Sequence, residues 1–175
     1  MGWPWRTVRG GEAMTHAFND LEGLRIAVEM EKRGAQLYQR ALRICQAPRA
    51  QALLRQLEAD ERNHQGEFFR LYQLQSARRQ VWPDYSLEQS AYLSAMAADV
   101  VFPGGLVEMG MDNGFDSPAA ILRYAIQAEK DSLLFYGALM EQTGDPESRS
   151  VFAEIIRQER GHLAALTQML REEEA

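Results

Sequence analysis

Apolar side chains recur every three to four residues in four long stretches of this chain, and no stretch alternates as a strand does. In the first stretch the repeating apolar positions are Leu24, Ala27, Val28, Ala35, Tyr38 and Leu42. In the second they are Leu53, Leu54, Leu57, Phe68 and Leu71. The pattern predicts an all-α protein in which each long helix buries one apolar face.

Capping residues predict where these helices begin. Asn19 and Glu22 form a capping box for the first helix, and Pro48 occupies the first turn of the second. Ser117-Pro118 and Asp145-Pro146 each combine an N-cap residue with a proline at the first helical position. They therefore begin the third and fourth helices.

A long connection joins the second helix, which is expected to end before Trp82, to the third. Ser86 can cap a short extra helix within it, and the Gly-rich passage 102–114 has the composition of a loop. Two antiparallel helical hairpins joined by a long crossover form a four-helix bundle. We therefore expect one helical domain over residues 20–173 and a poorly ordered tail over residues 1–19.

Polar residues inside the apolar faces repeat at a fixed offset. Four residues recur 98 positions later, so that Glu31, Tyr38, Glu61 and His64 correspond to Glu129, Tyr136, Glu159 and His162. Two of the three histidines in the chain thus complete Glu-x-x-His motifs. A single motif of this kind is more often a solvated helix face, but two copies, each with a partner Glu thirty residues earlier, indicate an internal repeat built around one site.

The spacing places these residues at one height in the bundle. The first turn lies near residue 47, about 16 residues after Glu31 and about 14 before Glu61, and the second hairpin is built in the same way. At 1.5 Å per residue each pair lies roughly 22 Å from its turn, and a Glu and a His three residues apart share a helix face. Two carboxylates and two Glu-x-x-His pairs on four helices form a dinuclear metal site.

Electrostatics favours the same interpretation. Four ionised carboxylates in an apolar core repel one another and are costly to desolvate, and two divalent ions compensate them. Carboxylate oxygens with one imidazole per metal suit iron or manganese, including a mixed pair, and zinc can occupy such a site. The predicted metal ligands are Glu31, Glu61, His64, Glu129, Glu159 and His162.

Tyr38 and Tyr136 lie two turns after Glu31 and Glu129, on the same helix faces. Their hydroxyls are candidate hydrogen-bond partners of the ligands or redox-active neighbours. The alternative is that both are plain core aromatics. Glu58 is off the shared face, and we interpret it as a surface charge.

At these residues the chain resembles the rubrerythrin branch of the ferritin-like diiron proteins. The matching strings are residues 27–32 with Tyr38, residues 61–64, residues 128–130 with Tyr136, and residues 159–162, and the similarity covers roughly residues 20–172. The resemblance implies a ferritin-like bundle in which Glu61 and Glu159 bridge two irons. It implies that Glu31 and Glu129 are terminal ligands. It also implies a peroxidase or ferroxidase that uses hydrogen peroxide, dioxygen or ferrous iron in oxidative-stress or iron handling.

The chain departs from that family pattern in two ways. Peroxidase rubrerythrins usually carry an additional Glu one turn after the third-helix ligand, where this chain has Ser132. The single cysteine, Cys45, cannot form a rubredoxin site, so we expect an external electron donor. The six-ligand set is also similar to that of bacterioferritin, although we expect neither a fifth helix nor a storage cage.

Composition excludes several other classes of function. The net charge of −6 and the pI near 5.2 disfavour binding to nucleic acid or to an anionic membrane surface. No apolar run approaches the ~20 residues that span a bilayer, and the N-terminus has no apolar signal core, so we expect a cytoplasmic protein. Apolar crossover residues, among them Leu93 and Phe102, favour a homodimer.

Two alternatives stay open at this point. A non-catalytic metal-binding or carrier protein would use the same ligands without turnover. A metal-free structural bundle would gain no stability from added iron, whereas a metal that binds only the folded state stabilises it.

Overall fold

The computed structural model describes residues 20–79 and 115–175, and in these ranges it contains four α-helices and no strand. The helices are α1 (Asp20–Ile44), α2 (Pro48–Arg79), α3 (Pro118–Gln142) and α4 (Pro146–Glu173). The predicted all-α four-helix bundle is therefore confirmed. The predicted N-terminal tail, the Asn19 cap and the short crossover helix lie outside the described residues, and the domain limits stay a prediction.

The caps predicted for the second hairpin are present. The Ser117 side chain accepts a hydrogen bond from the backbone N–H of Ala120 at 3.3 Å, and the Asp145 side chain accepts one from Ser148 at 2.8 Å. Each cap precedes a proline in the first turn of its helix. These bonds satisfy N–H groups that have no partner inside the helix.

The Gln51 side chain ties the end of α1 to the start of α2. The Gln51 amide nitrogen donates to the backbone carbonyls of Leu42 and Cys45, at 2.6 and 2.7 Å. Two carbonyls at the end of α1 are thereby satisfied from the first turn of α2. Cys45 itself is a buried free thiol.

The two hairpins pack side by side, because α1 contacts both α2 and α3 while α4 contacts both α3 and α2. Phe68 lies at their junction, with its ring centroid 4.9 Å from that of Tyr136 and 5.4 Å from that of Phe152. All three side chains are buried. Aromatic contacts from α2, α3 and α4 therefore fix how the hairpins meet.

Ion pairs on the surface join α2 to the start of α4. Arg78 contacts Asp145 at 2.9 Å and Glu147 at 3.2 Å, and Arg70 contacts Glu147 at 2.8 Å. Such exposed pairs contribute little stability, so the bundle depends on its core. Within the described ranges, no helix offers an apolar run of membrane-spanning length.

Two adjacent phenylalanines, one buried and one exposed, test how much the core contributes to the free energy of unfolding. Phe68 is fully buried whereas Phe69 is 49% exposed. We expect Phe68→Ala to lower the free energy of unfolding by about 3–5 kcal/mol through lost contacts and a cavity, and Phe69→Ala to change it far less. Urea unfolding of both variants measures the difference, and equal losses would contradict this description of the core.

Candidate metal centre

All four helices contribute to one cluster of buried polar side chains in the bundle core. The six residues predicted as ligands form it: Glu31 on α1, Glu61 and His64 on α2, Glu129 on α3, and Glu159 and His162 on α4. The most exposed of them, His162, is only 7% exposed. Such groups are almost never buried unless they are paired or hold a metal.

The donor atoms form two overlapping groups, each with its atoms within 4.8 Å of one another. One group, here the His64 position, comprises Glu31, Glu61, His64 and Glu159. The other, the His162 position, comprises Glu61, Glu129, Glu159 and His162. Glu61 and Glu159 belong to both groups, so these two carboxylates would serve both cations if two were bound.

The two imidazoles face the cluster in the same way. Their rings lie 5.7 Å apart and are tilted by 23°. His64 Nδ1 lies 2.9 Å from one oxygen of Glu159, and His162 Nδ1 lies 2.8 Å from the other. One carboxylate thus contacts both histidines, and both rings turn the same nitrogen inward.

Several inward-facing atoms lack a hydrogen bond among the described residues. They are Glu31 Oε1, Glu61 Oε1 and Glu129 Oε2, together with His64 Nδ1 and Glu159 Oε1, which lie 2.9 Å apart as an ion pair but not in hydrogen-bond geometry. A buried polar atom left without a partner is destabilising, and a cation among these atoms would satisfy several at once. Carboxylate and imidazole donors are the set that iron and manganese take, so the residues present fit a dinuclear metal site.

Without a cation, the cluster holds protons instead. Burial and the charges of Glu159 and Glu31 raise the pKa of Glu61 well above its usual range. Burial and the same Glu159 raise the pKa of Glu129 to about 8. Protonated carboxyl groups reduce the mutual repulsion of the buried acids.

The histidines are held in their charged form. Burial alone would lower the pKa of His64, but the carboxylates of Glu159 and Glu31 outweigh it and raise that pKa to about 11. In the same way Glu129 and Glu159 raise the pKa of His162 to about 10. Both imidazoles in turn lower the pKa of Glu159 against the effect of its burial. Metal binding must displace these protons.

The predicted tyrosines cross between the hairpins. The Tyr38 hydroxyl, on α1, donates to Glu129 Oε1 on α3, and burial followed by the charge of Glu129 raises its pKa well above 10. Burial raises the pKa of Tyr136 as well, with Glu31 on α1 as the next cause. Both phenols therefore stay protonated, and the Tyr38 hydroxyl hydrogen-bonds a candidate ligand.

Three residues beside the cluster were not identified from the sequence. Asp60 and Gln158 lie against the outward nitrogens of His162 and His64, and Gly34 leaves room for Glu61, because an added Cβ would lie 3.0 Å from its Oε2. Asp60 and Gln158 occupy equivalent positions of the internal repeat, 98 residues apart, and that offset is the signal that could have identified them. Glu58 lies outside the cluster, bound by Arg62 and Gln39, as expected.

Comparison with known proteins supports the family resemblance for part of the chain. The rubrerythrin family model matches residues 120–175, a range that includes Glu129, Glu159 and His162. The resemblance inferred from the sequence is thereby confirmed for the second hairpin, and the first supplies the equivalent residues of the repeat. No curated protein and no solved structure matches the chain significantly.

The stability of the metal-free protein should fall as the pH rises above 7. The folded-state pKa values of about 11 and 10 for His64 and His162 lie above their ordinary value of 6.5. The stabilisation from their protons is therefore complete below pH 6.5 and is lost as the pH rises toward 10 and 11. Urea unfolding of chelator-treated protein at pH 7 and 9.5 measures this.

The control is the His64→Gln/His162→Gln double variant. Its free energy of unfolding should change less between pH 7 and pH 9.5 than that of the wild type. A wild-type free energy of unfolding that is constant or increases from pH 7 to 9.5 would contradict the proposed protonation of the cluster.

Proposed function

We propose that this chain, similar to rubrerythrins over residues 120–175, is a dinuclear iron oxidoreductase that reacts with hydrogen peroxide or dioxygen. The observation that carries the proposal is the pair of overlapping four-residue groups that share Glu61 and Glu159. Two sets of oxygen and nitrogen donors that share two carboxylates suit a metal pair that acts on a small oxidant. When bound, two irons supply the two electrons that reduce one peroxide.

The protein residues around the pair have distinct tasks. The carboxylates compensate the positive charge of the ions, and the histidines present Nδ1 toward them. The Tyr38 hydroxyl donates a hydrogen bond to Glu129 Oε1, and this bond fixes the orientation of the Glu129 side chain. Aromatic packing by Phe68 and Tyr136 excludes bulk water from one side of the cluster, which strengthens the electrostatic interactions inside it.

A small cavity of about 10 Å³ lies beside the cluster between α1 and α3. Gly34, Ser132 and Tyr38 line it together with the carboxylates of Glu61 and Glu129. That volume is about the space one water molecule needs, so an oxidant with two oxygen atoms would enter it only if the lining side chains shifted slightly. Ser132 occupies the position where the resemblance expects an additional Glu, and the small side chain leaves this space open.

The surroundings of the reaction are also proposals. The electron donor is external, because a single cysteine gives this chain no thiolate iron site. A homodimer is proposed from the apolar crossover residues, which lie outside the described ranges. A cytoplasmic location stays an expectation from the sequence. Oxidative-stress defence or iron handling is the physiological setting proposed from the resemblance.

Metal stoichiometry tests the proposal directly. After anaerobic loading with Fe²⁺ and desalting, we expect about two irons per wild-type chain and a loss of most of that iron in His64→Ala/His162→Ala. His16→Ala removes the third histidine and is the matched control. Consumption of peroxide by the loaded protein with an artificial reductant then measures turnover.

The outcomes separate the alternatives. Two irons with no turnover would indicate a metal carrier, and no retained iron would indicate a structural bundle. Iron that raises the melting temperature of the wild type, but not of the double variant, would support binding to the folded site.

Gly34 tests the role of the cavity. We expect Gly34→Ala to slow the reaction of the iron-loaded protein with peroxide by about 10-fold or more, because the new Cβ displaces Glu61 by a few tenths of an ångström and fills the cavity. Gly66→Ala is the control, since nothing lies within 4 Å of its added Cβ. Stopped-flow rates at equal iron content measure the effect, and equal rates would contradict a role for the cavity.

A further inference from the structure

The two candidate metal positions have the same kinds of ligand. Each takes one Glu and one His of its own, and both share Glu61 and Glu159. A difference between the positions must therefore come from groups that contact the ligands from outside. The outward-facing nitrogens of the two histidines are where such a difference occurs.

At the His162 position the outward group is a carboxylate. His162 Nε2 lies 3.3 Å from Asp60 Oδ2, on the opposite helix α2. Asp60 in turn accepts hydrogen bonds from the Gln56 amide nitrogen, at 2.9 and 3.1 Å. The Asp60 side chain is 22% exposed, so most of it is removed from solvent and its charge acts on the imidazole at close range.

At the His64 position the outward group is a neutral amide. His64 Nε2 lies 3.0 Å from Gln158 Oε1, on α4. The Gln158 amide nitrogen donates to Glu154 Oε1 at 2.8 Å, which fixes its orientation and leaves its oxygen as an acceptor for His64. Glu154 is half-exposed and paired with Arg157, so solvent and that cation weaken its attraction to His64 without removing it.

The two outward contact series occupy equivalent positions of the repeat, but the order of carboxylate and amide is reversed between them. The order outward from His162 is carboxylate and then amide, Asp60 and Gln56. The order outward from His64 is amide and then carboxylate, Gln158 and Glu154. The positions correspond at the offset of 98 residues, so the internal symmetry is broken at the groups that contact the histidines.

We propose that the two metal positions are unequal, and that the His162 position binds a divalent cation first and more tightly because of Asp60. This inference rests on the proposed dinuclear site. A carboxylate beside the outer imidazole nitrogen raises the basicity of the histidine as a ligand, and its charge attracts the cation. The neutral Gln158 fixes the tautomer of His64 but adds no charge.

One contact acts in the opposite direction. Tyr38 donates a hydrogen bond to Glu129, a ligand of the His162 position only, and so withdraws electron density from that carboxylate. A neutral hydroxyl has a smaller effect on a cation than a full negative charge at Asp60, so the balance favours the His162 position. Asp60 is thus a positioning residue that acts through His162.

Calorimetric titration of the metal-free full chain with Co²⁺ tests the proposal. We expect two binding steps of different affinity in the wild type. Asp60→Asn should weaken the tighter step by about 10- to 100-fold and leave the weaker one unchanged. Gln158→Asp should tighten the weaker step, and Glu58→Gln, which removes a nearby charge on α2 that contacts no histidine, should alter neither step.

Single histidine variants assign the steps. His162→Ala should abolish the tight step and His64→Ala the weak one, with circular dichroism confirming that each variant is folded. Equal affinities in the wild type, the reverse assignment, or an Asp60→Asn titration like that of Glu58→Gln would overturn the inference while leaving the dinuclear site intact. Absence of any Co²⁺ binding by the wild type would instead overturn the proposed function.

Discussion

Four carboxylates and two imidazoles share the interior of this bundle, and the compensation of their charges is the constraint on which the rest depends. Glu31, Glu61, Glu129 and Glu159 could not be buried together in ionised form without positive charge between them. In the metal-free protein that charge comes from protons on the histidines, together with partial protonation of the acids. The buried cluster consequently suits a bound cation, which would satisfy oxygen atoms that lack a hydrogen bond among the described residues.

Much of this arrangement could be predicted from the chain alone. Pro48, Pro118 and Pro146 begin their helices as expected, because a proline after a break or a cap residue has few other places in a helical sequence. The convergence of the six polar residues followed from equal distances to the turns, which determine height in an antiparallel hairpin. The part that matches rubrerythrins is the second half of an internal repeat. The distances from ligand to turn are therefore similar in both hairpins, and the same reasoning about height applies to each.

The sequence did not predict which neighbouring helix each side chain contacts. Tyr38 lies two turns from Glu31 on its own helix, yet its hydroxyl binds Glu129 across the bundle. Asp60 and Gln158 likewise contact histidines of the opposite hairpin. Helical periodicity determines the face on which a residue lies but not the rotation of one packed helix against its neighbour. The space at Gly34 depends on the same rotation, since the atoms it accommodates belong to α2.

Both metal positions draw donors from both hairpins. The His64 position takes Glu159 from the second hairpin and its other donors from the first, while the His162 position takes Glu61 from the first. Neither hairpin can therefore complete a position without the other. The lifetime of a held cation is then tied to how often the hairpins separate, a local opening whose frequency is set by the aromatic contacts of Phe68. Packing by side chains that supply no metal ligand would in this way govern metal exchange with the surrounding solution.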